Sequence, residues 1–92
     1  MFANLLSLTL REPGGERPVP RGWLEQFFMR DFTGHSAFDQ TLAAGDGRLE
    51  VGFAVSSEAV REEFEKWLRG RNMITQGTAL EVRETGSERN LK

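Results

Sequence analysis

The chain has 92 residues, with 12 Lys or Arg against 14 Asp or Glu and a formal net charge of −2. This length allows one domain but not two, and the acidic balance argues against a nucleic-acid binder, because such proteins usually carry a basic surface. The sequence contains no cysteine, which excludes disulfides, thiolate metal sites and thiol nucleophiles.

The first element predicted along the chain is a strand, FANLLSLTL, at residues 2–10. Its apolar side chains recur with a period of two and therefore share one face of the strand. They are Phe2, Leu6, Leu8 and Leu10.

The next segment, REPGGERPVP at residues 11–20, holds three prolines and two glycines. This composition predicts a loop that continues neither a helix nor a strand.

The segment RGWLEQFFMRDFTG predicts a helix that begins near Pro20, a residue suited to a first turn, and ends near Gly34. Its apolar stripe, at helical spacing, consists of Leu24, Phe27, Phe28 and Phe32. Two interpretations of its aromatic side chains stay open. Either all of them are core residues, or Trp23 and Phe27, which are four residues apart, widen the stripe into a contact surface.

A β-hairpin is predicted in the middle of the chain. SAFDQTLAA has weak strand character, with Phe38 and Leu42 in phase, and the following GDG is a strong turn signal. RLEVGFAV then alternates as a strand does. One of its faces carries Leu49, Val51, Phe53 and Val55, and the other carries Arg48, Glu50, Gly52 and Ala54.

A second helix is predicted over SSEAVREEFEKWLRGRN, with Ser57 as the N-cap and Gly70 as the C-terminal stop. Its apolar stripe consists of Val60, Phe64, Trp67 and Leu68. The last predicted element is the strand TALEVRE, with Leu80 and Val82 facing inward.

The predicted order β-α-β-β-α-β is that of an α+β, ferredoxin-like plait, a four-stranded antiparallel sheet with two helices on one face. We expect this domain to span residues 1–86 and a polar C-terminal tail to span residues 87–92. The other face of the sheet is then uncovered. Its expected side chains are those of Ala3, Leu5, Ser7, Thr9, Arg48, Glu50, Gly52, Ala54, Ala79, Glu81 and Arg83.

The stretch VGFAVSSE resembles the third strand of RNA-recognition motifs, which it matches at Gly52, Phe53 and Ala54. This resemblance implies a nucleic-acid binder in which Phe53 stacks on a base. The alternation of the strand argues against that role, because Phe53 would then point to solvent together with Leu49 and Val51. Exposing such side chains forfeits about 1.5–3 kcal/mol each. We therefore predict that Phe53 is a core residue.

VGFAVSSEAVREEF also resembles the strand-to-helix passage of small dimeric α+β barrels, many of them oxygenases. The resemblance implies a dimer that pairs its open sheet faces around a small-molecule pocket, in which only His35 could serve as the histidine. Asp31, His35 and Asp39 are spaced by four residues, but Gly34 interrupts that alignment. We therefore predict no metal site and no cofactor.

The sequence favours a small non-catalytic protein that binds another macromolecule, most simply another protein. The alternatives are a dimeric α+β barrel enzyme or small-ligand binder, and an RNA-recognition-like nucleic-acid binder. The residues expected to bind are Arg48, Glu50, Glu81, Arg83, Trp23 and Phe27. The charge balance of the uncovered face also favours a homodimer. No apolar run approaches the roughly 20 residues of a membrane span and no signal peptide is evident, so a cytoplasmic protein without a membrane partner is expected.

Overall fold

The chain forms an antiparallel sheet and two helices within residues 4–31, 41–52 and 55–87, which are the parts that the computed structural model describes. The elements are β1 (Asn4–Glu12), β2 (Gly15–Pro18), α1 (Arg21–Gln26), β3 (Thr41–Gly45), β4 (Arg48–Val51), α2 (Ser57–Gly70) and β5 (Ala79–Ser87). Neither of these helices is long and apolar enough to cross a membrane.

Strand β1 is the centre of the sheet, and all of its pairings are antiparallel. Strand β5 occupies one edge of β1 along its length. The other edge of β1 pairs with β4 along Asn4–Ser7 and with β2 along Thr9–Glu12, so that β4 and β2 lie end to end. Strand β3 lies outside β4. The described sheet therefore has five strands rather than the predicted four.

The additional strand arises where a loop was predicted, and that prediction was wrong. Strand β1 continues to Glu12, and a turn at Pro13 and Gly14 returns the chain as β2. A proline and a glycine are suited to the centre of a turn. Pro18 is the last residue of β2, the outer strand of the hairpin, where a proline is tolerated. Val19, which follows β2, is 0% exposed and anchors the hairpin in the core.

The core lies against one face of the sheet, as the period-two pattern predicted. On β1, Leu6, Leu8 and Leu10 are buried, and the residues between them are not. The predicted inward residues of the other strands and of α2 are also buried: Leu49, Val51, Leu80, Val60, Phe64 and Leu68. Val82 is partly buried and packs against the core. Both helices contribute to this single cluster of buried side chains.

The first helix is shorter than predicted, because α1 changes into a turn of π-helix at Phe27–Asp31. This wider turn accompanies the burial of two consecutive aromatic side chains, Phe27 at 2% and Phe28 at 3% exposure. Phe27 is therefore a core residue, in line with the first of the two interpretations, and has no exposed surface to offer a partner.

Four aromatic rings form the centre of the core between the helices. Phe64 of α2 lies 5.3 Å from the ring centroid of Phe28, 5.2 Å from that of Phe27 and 5.7 Å from that of Trp67. Trp67, predicted as a core residue, is only partly buried and carries the Arg71 guanidinium 5.1 Å above its ring. The indole thus closes the aromatic cluster at its solvent side.

The N-terminus of α2 lies one residue earlier than predicted. Ser56 is the N-cap, and its Oγ accepts a hydrogen bond of 3.1 Å from the backbone N–H of Ala59. The side chain of the cap thereby satisfies one of the N–H groups that the first turn leaves unpaired. The predictions for Phe2, Ala3, Phe32, Gly34, His35, Phe38, Asp39, Phe53, Ala54 and the tail beyond residue 87 lie outside the described residues.

The turn between β3 and β4 is held where β2 and β4 meet. The Gly47 N–H donates to the carbonyl of Val19 at 2.6 Å, and the Gly47 carbonyl accepts from the Leu8 N–H at 2.8 Å. The neighbouring Asp46 accepts a hydrogen bond of 2.8 Å from the backbone N–H of Arg21, the first residue of α1. The predicted turn at GDG is confirmed, and it joins the hairpin to both β1 and α1.

Candidate functional site

The face of the sheet opposite the core, here named the open face, holds most of the residues predicted to bind. Both described helices contribute to the core on the other side. The open face carries Leu5, Ser7, Thr9, Arg11, Glu16, Leu42, Arg48, Glu50, Ala79, Glu81 and Arg83. Arg48, Glu50, Glu81 and Arg83 were all predicted to lie there, and the strand register places them on this one face.

The register arranges these side chains in rows that run across the strands. In the first row, Glu50 pairs with Leu5 on one side and with Leu42 on the other. In the second row, Arg48 pairs with Gly45 and Ser7, and Ser7 pairs in turn with Arg83. Side chains opposite each other in an antiparallel pair are close neighbours, so each row is a continuous strip of surface.

At one end of the open face, four charged side chains form an alternating chain, here named the paired half: Glu16, Arg11, Glu81 and Arg83. Arg11 Nε lies 3.2 Å from Glu16 Oε2, and Arg11 Nη1 lies 3.8 Å from Glu81 Oε1. Arg83 Nη2 lies 2.8 Å from Glu81 Oε2. Exposed pairs of this kind contribute little to stability, about 0–1 kcal/mol each. The pairing leaves two positive and two negative charges balanced within this half.

The other end of the open face, here named the β4 half, consists of Leu5, Ser7, Leu42, Arg48 and Glu50. Within the described residues, neither Arg48 nor Glu50 forms an ion pair. The Arg48 stem lies along the sheet. Its Cδ is 3.6 Å from the position that a Cβ on Gly45 would occupy. Leu42 is 37% exposed, which is high for a leucine in a strand.

The remaining two predicted binding residues are not part of the open face. Trp23 and Phe27 belong to the helical layer on the other side of the sheet. Trp23 is partly buried, and the Arg17 guanidinium lies 5.6 Å above its ring. The structure thus brings four of the six predicted residues together and separates Trp23 and Phe27 from them.

Three residues of the open face were not predicted to lie on it. Arg11 and Glu16 lie in the segment predicted to be a loop. A signal was present, because a two-residue turn at Pro13 and Gly14 brings Arg11 opposite Glu16. A hairpin at this point places opposite charges across the two strands. Leu42 was assigned no face, and the structure points it away from the core.

A second cluster of charges lies on α2, where it supports the fold. Glu65 accepts from Arg61 at 3.3 Å and from Arg69 at 2.9 Å. Arg69 also donates to the backbone carbonyls of Thr75 and Thr78, at 3.0 and 2.7 Å. These bonds connect the end of α2 to the segment that leads into β5, so the donors of Arg69 are used within the chain.

No group of three or more His, Asp or Glu side chains is placed to hold a metal ion in the described parts of the chain.

Comparison of the chain with protein families, with curated proteins and with solved structures finds no match.

Proposed function

We propose that this chain is a non-catalytic protein-interaction module that binds another protein on its open face. The observation that carries the proposal is the β4 half. Arg48 and Glu50 stand there without ion partners among the described residues, in rows that also hold Leu5 and the exposed Leu42. Arginine and apolar side chains at the centre of a patch are typical of protein interfaces.

The fold that we propose for this module is a ferredoxin-like plait with one added strand. Leaving β2 aside, the strands follow the order β3-β4-β1-β5, and all neighbouring pairs are antiparallel. With α1 between β1 and β3 and α2 between β4 and β5, this arrangement has the connectivity of the split βαβ plan. Strand β2 then continues the same edge of β1, end to end with β4, and supplies Glu16 to the paired half.

The chemistry of the open face favours a protein over a nucleic acid as the partner. Among its described side chains, none is aromatic, so this part of the face offers no base-stacking platform. Glu50 carries a negative charge in the centre of the β4 half, where a phosphate backbone would be repelled. A protein surface can supply both an acidic and a basic group opposite Arg48 and Glu50.

We expect the charge reversal Glu50→Arg to abolish partner capture while the fold is retained. The matched control is Glu63→Arg, which makes the same change at an exposed position of α2. Wild type and both variants, each with the same affinity tag, are used to capture proteins from a lysate of the cells in which the protein occurs. Circular dichroism confirms that all three are folded.

A protein that is captured by the wild type and by Glu63→Arg but lost with Glu50→Arg is then purified and titrated. We expect Glu50→Arg to raise its Kd at least about tenfold, since like charges across an interface oppose binding. If Glu50→Arg captures and binds the same proteins as the control, the open face is not the docking surface.

A further inference from the structure

We infer that the protein bound on the β4 half is a second copy of this chain, related by a two-fold axis. The axis lies midway between the two facing sheets and runs across the strands. It passes over β4 between Arg48 and Glu50. This inference rests on the proposed function and names the partner. Two-fold dimers are the commonest assemblies of a single chain, and their interface pairs one patch with itself. The patch must therefore be complementary to its own rotated copy.

The charges of the β4 half meet this requirement. Arg48 and Glu50 are two residues apart on one strand, so their side chains point to the same face. Rotation about the axis reverses the strand direction and places Arg48 of each copy opposite Glu50 of the other. Two ion pairs form in this way, from the two charges that lack ion partners among the described residues of the isolated chain.

The shapes of the two rows are complementary under the same rotation. The first row carries a leucine on each side of Glu50, namely Leu42 and Leu5. The second row carries small residues at the matching positions, Gly45 and Ser7. Leu5 of one copy therefore faces Ser7 of the other, and Leu42 faces Gly45 and the methylene stem of Arg48. Large side chains meet small ones, as facing sheets about 10 Å apart require.

The paired half does not oppose this association. Its four charges are neutralised by one another in the described structure, so it adds no net repulsion between the copies. An unrelated protein would have to supply an acidic group opposite Arg48 and a basic group opposite Glu50 at the same spacing. A second copy supplies both without further assumption.

The test is a charge-swap series measured by sedimentation equilibrium from about 1 to 100 µM. The wild type is expected to be a dimer. Arg48→Glu and Glu50→Arg each place like charges across the axis, and we expect each to raise the dimer Kd about a hundredfold. An equimolar mixture of the two variants pairs opposite charges again and should form a heterodimer. The double variant Arg48→Glu/Glu50→Arg should form a homodimer. Glu63→Arg is the matched control and should behave as the wild type.

Two results would overturn the inference, and they bear differently on the proposed function. A wild type that is monomeric throughout this range rules out the second copy, whereas the docking of another protein is then decided by the capture experiment. A wild-type dimer that both single variants leave intact shows that copies associate elsewhere, and it removes the open face from the dimer interface. Restored association in the mixture excludes misfolding as the reason that the single variants are monomeric.

Discussion

Replacing Phe64 with alanine will lower the free energy of unfolding by about 3–5 kcal/mol. Phe64 is 0% exposed and lies against the rings of Phe27, Phe28 and Trp67. Alanine removes the ring and leaves a cavity at the centre of the aromatic cluster. A domain of this length has a total stability of about 5–14 kcal/mol, so the variant should be partly or wholly unfolded at moderate temperature. Urea denaturation followed by circular dichroism measures the loss.

The matched control for Phe64→Ala is Lys66→Ala, two residues further along α2 and exposed. It should change the free energy of unfolding by less than about 0.5 kcal/mol. A loss of less than about 1 kcal/mol for Phe64→Ala would mean that the aromatic cluster is not the centre of the core.

Replacing Gly47 with alanine will lower the free energy of unfolding by about 3 kcal/mol, because strain, a steric clash and disturbed hydrogen bonds act together. Its φ angle is +68°, in the left-handed region that side chains other than glycine rarely adopt. A Cβ at this position would lie 2.8 Å from the Leu8 carbonyl oxygen and 2.8 Å from Pro18 Cβ. Neither atom belongs to a flexible side chain that could move aside.

Hydrogen exchange reports the local consequence of Gly47→Ala. The Leu8 N–H donates to the Gly47 carbonyl, so its protection should fall more than that of amides in α2. Gly70→Ala is the control, since a Cβ there meets nothing within 4 Å. Gly70 is the last residue of α2, where alanine should stabilise by up to about 1 kcal/mol. Equal stabilities of the two variants would show that the turn at Gly47 tolerates a side chain.

The faces of the strands could be predicted from the sequence, because burial alternates with the backbone pleat. Leu6, Leu8 and Leu10 form the clearest case, and Leu49 and Val51 follow the same period. Once those residues point inward, the residues between them must point outward. Arg48 and Glu50 were therefore assigned to the correct face without any knowledge of which strand lies beside β4.

Features that depend on tertiary contacts could not be predicted in the same way. The prolines and glycines of residues 11–20 indicated a loop, and the opposite charges of Arg11 and Glu16 do not by themselves show that β2 pairs with an edge of β1. The hairpin is held by its pairing with β1 and by the burial of Val19, and both are tertiary contacts. The π-helical turn at Phe27–Asp31 likewise accompanies the packing of two consecutive aromatic rings, and not a local sequence signal.

The division of the open face into two halves also could not be predicted from the sequence. Which charges pair is set by the register of β5 on β1, and that register shifts between Leu5 and Leu6. Glu81 and Arg83 thereby come beside Thr9 and Ser7, and Arg11 can reach Glu81. The alternating charges of β4 and β5 appear equivalent in the sequence, but only those of β5 are paired in the described structure.

Cross-linking between copies tests the central claim most directly, since the chain contains no cysteine of its own. Two variants are made, Leu5→Cys and Ser7→Cys, and a short bismaleimide reagent is added to each variant alone and to their equimolar mixture. In the proposed dimer, residue 5 of one copy faces residue 7 of the other. We therefore expect the mixture to cross-link faster than either variant alone. It should also cross-link faster than a control mixture of Glu62→Cys and Lys66→Cys, which lie on the exposed side of α2. Equal rates in the open-face mixture and the control mixture would contradict the pairing of the β4 halves.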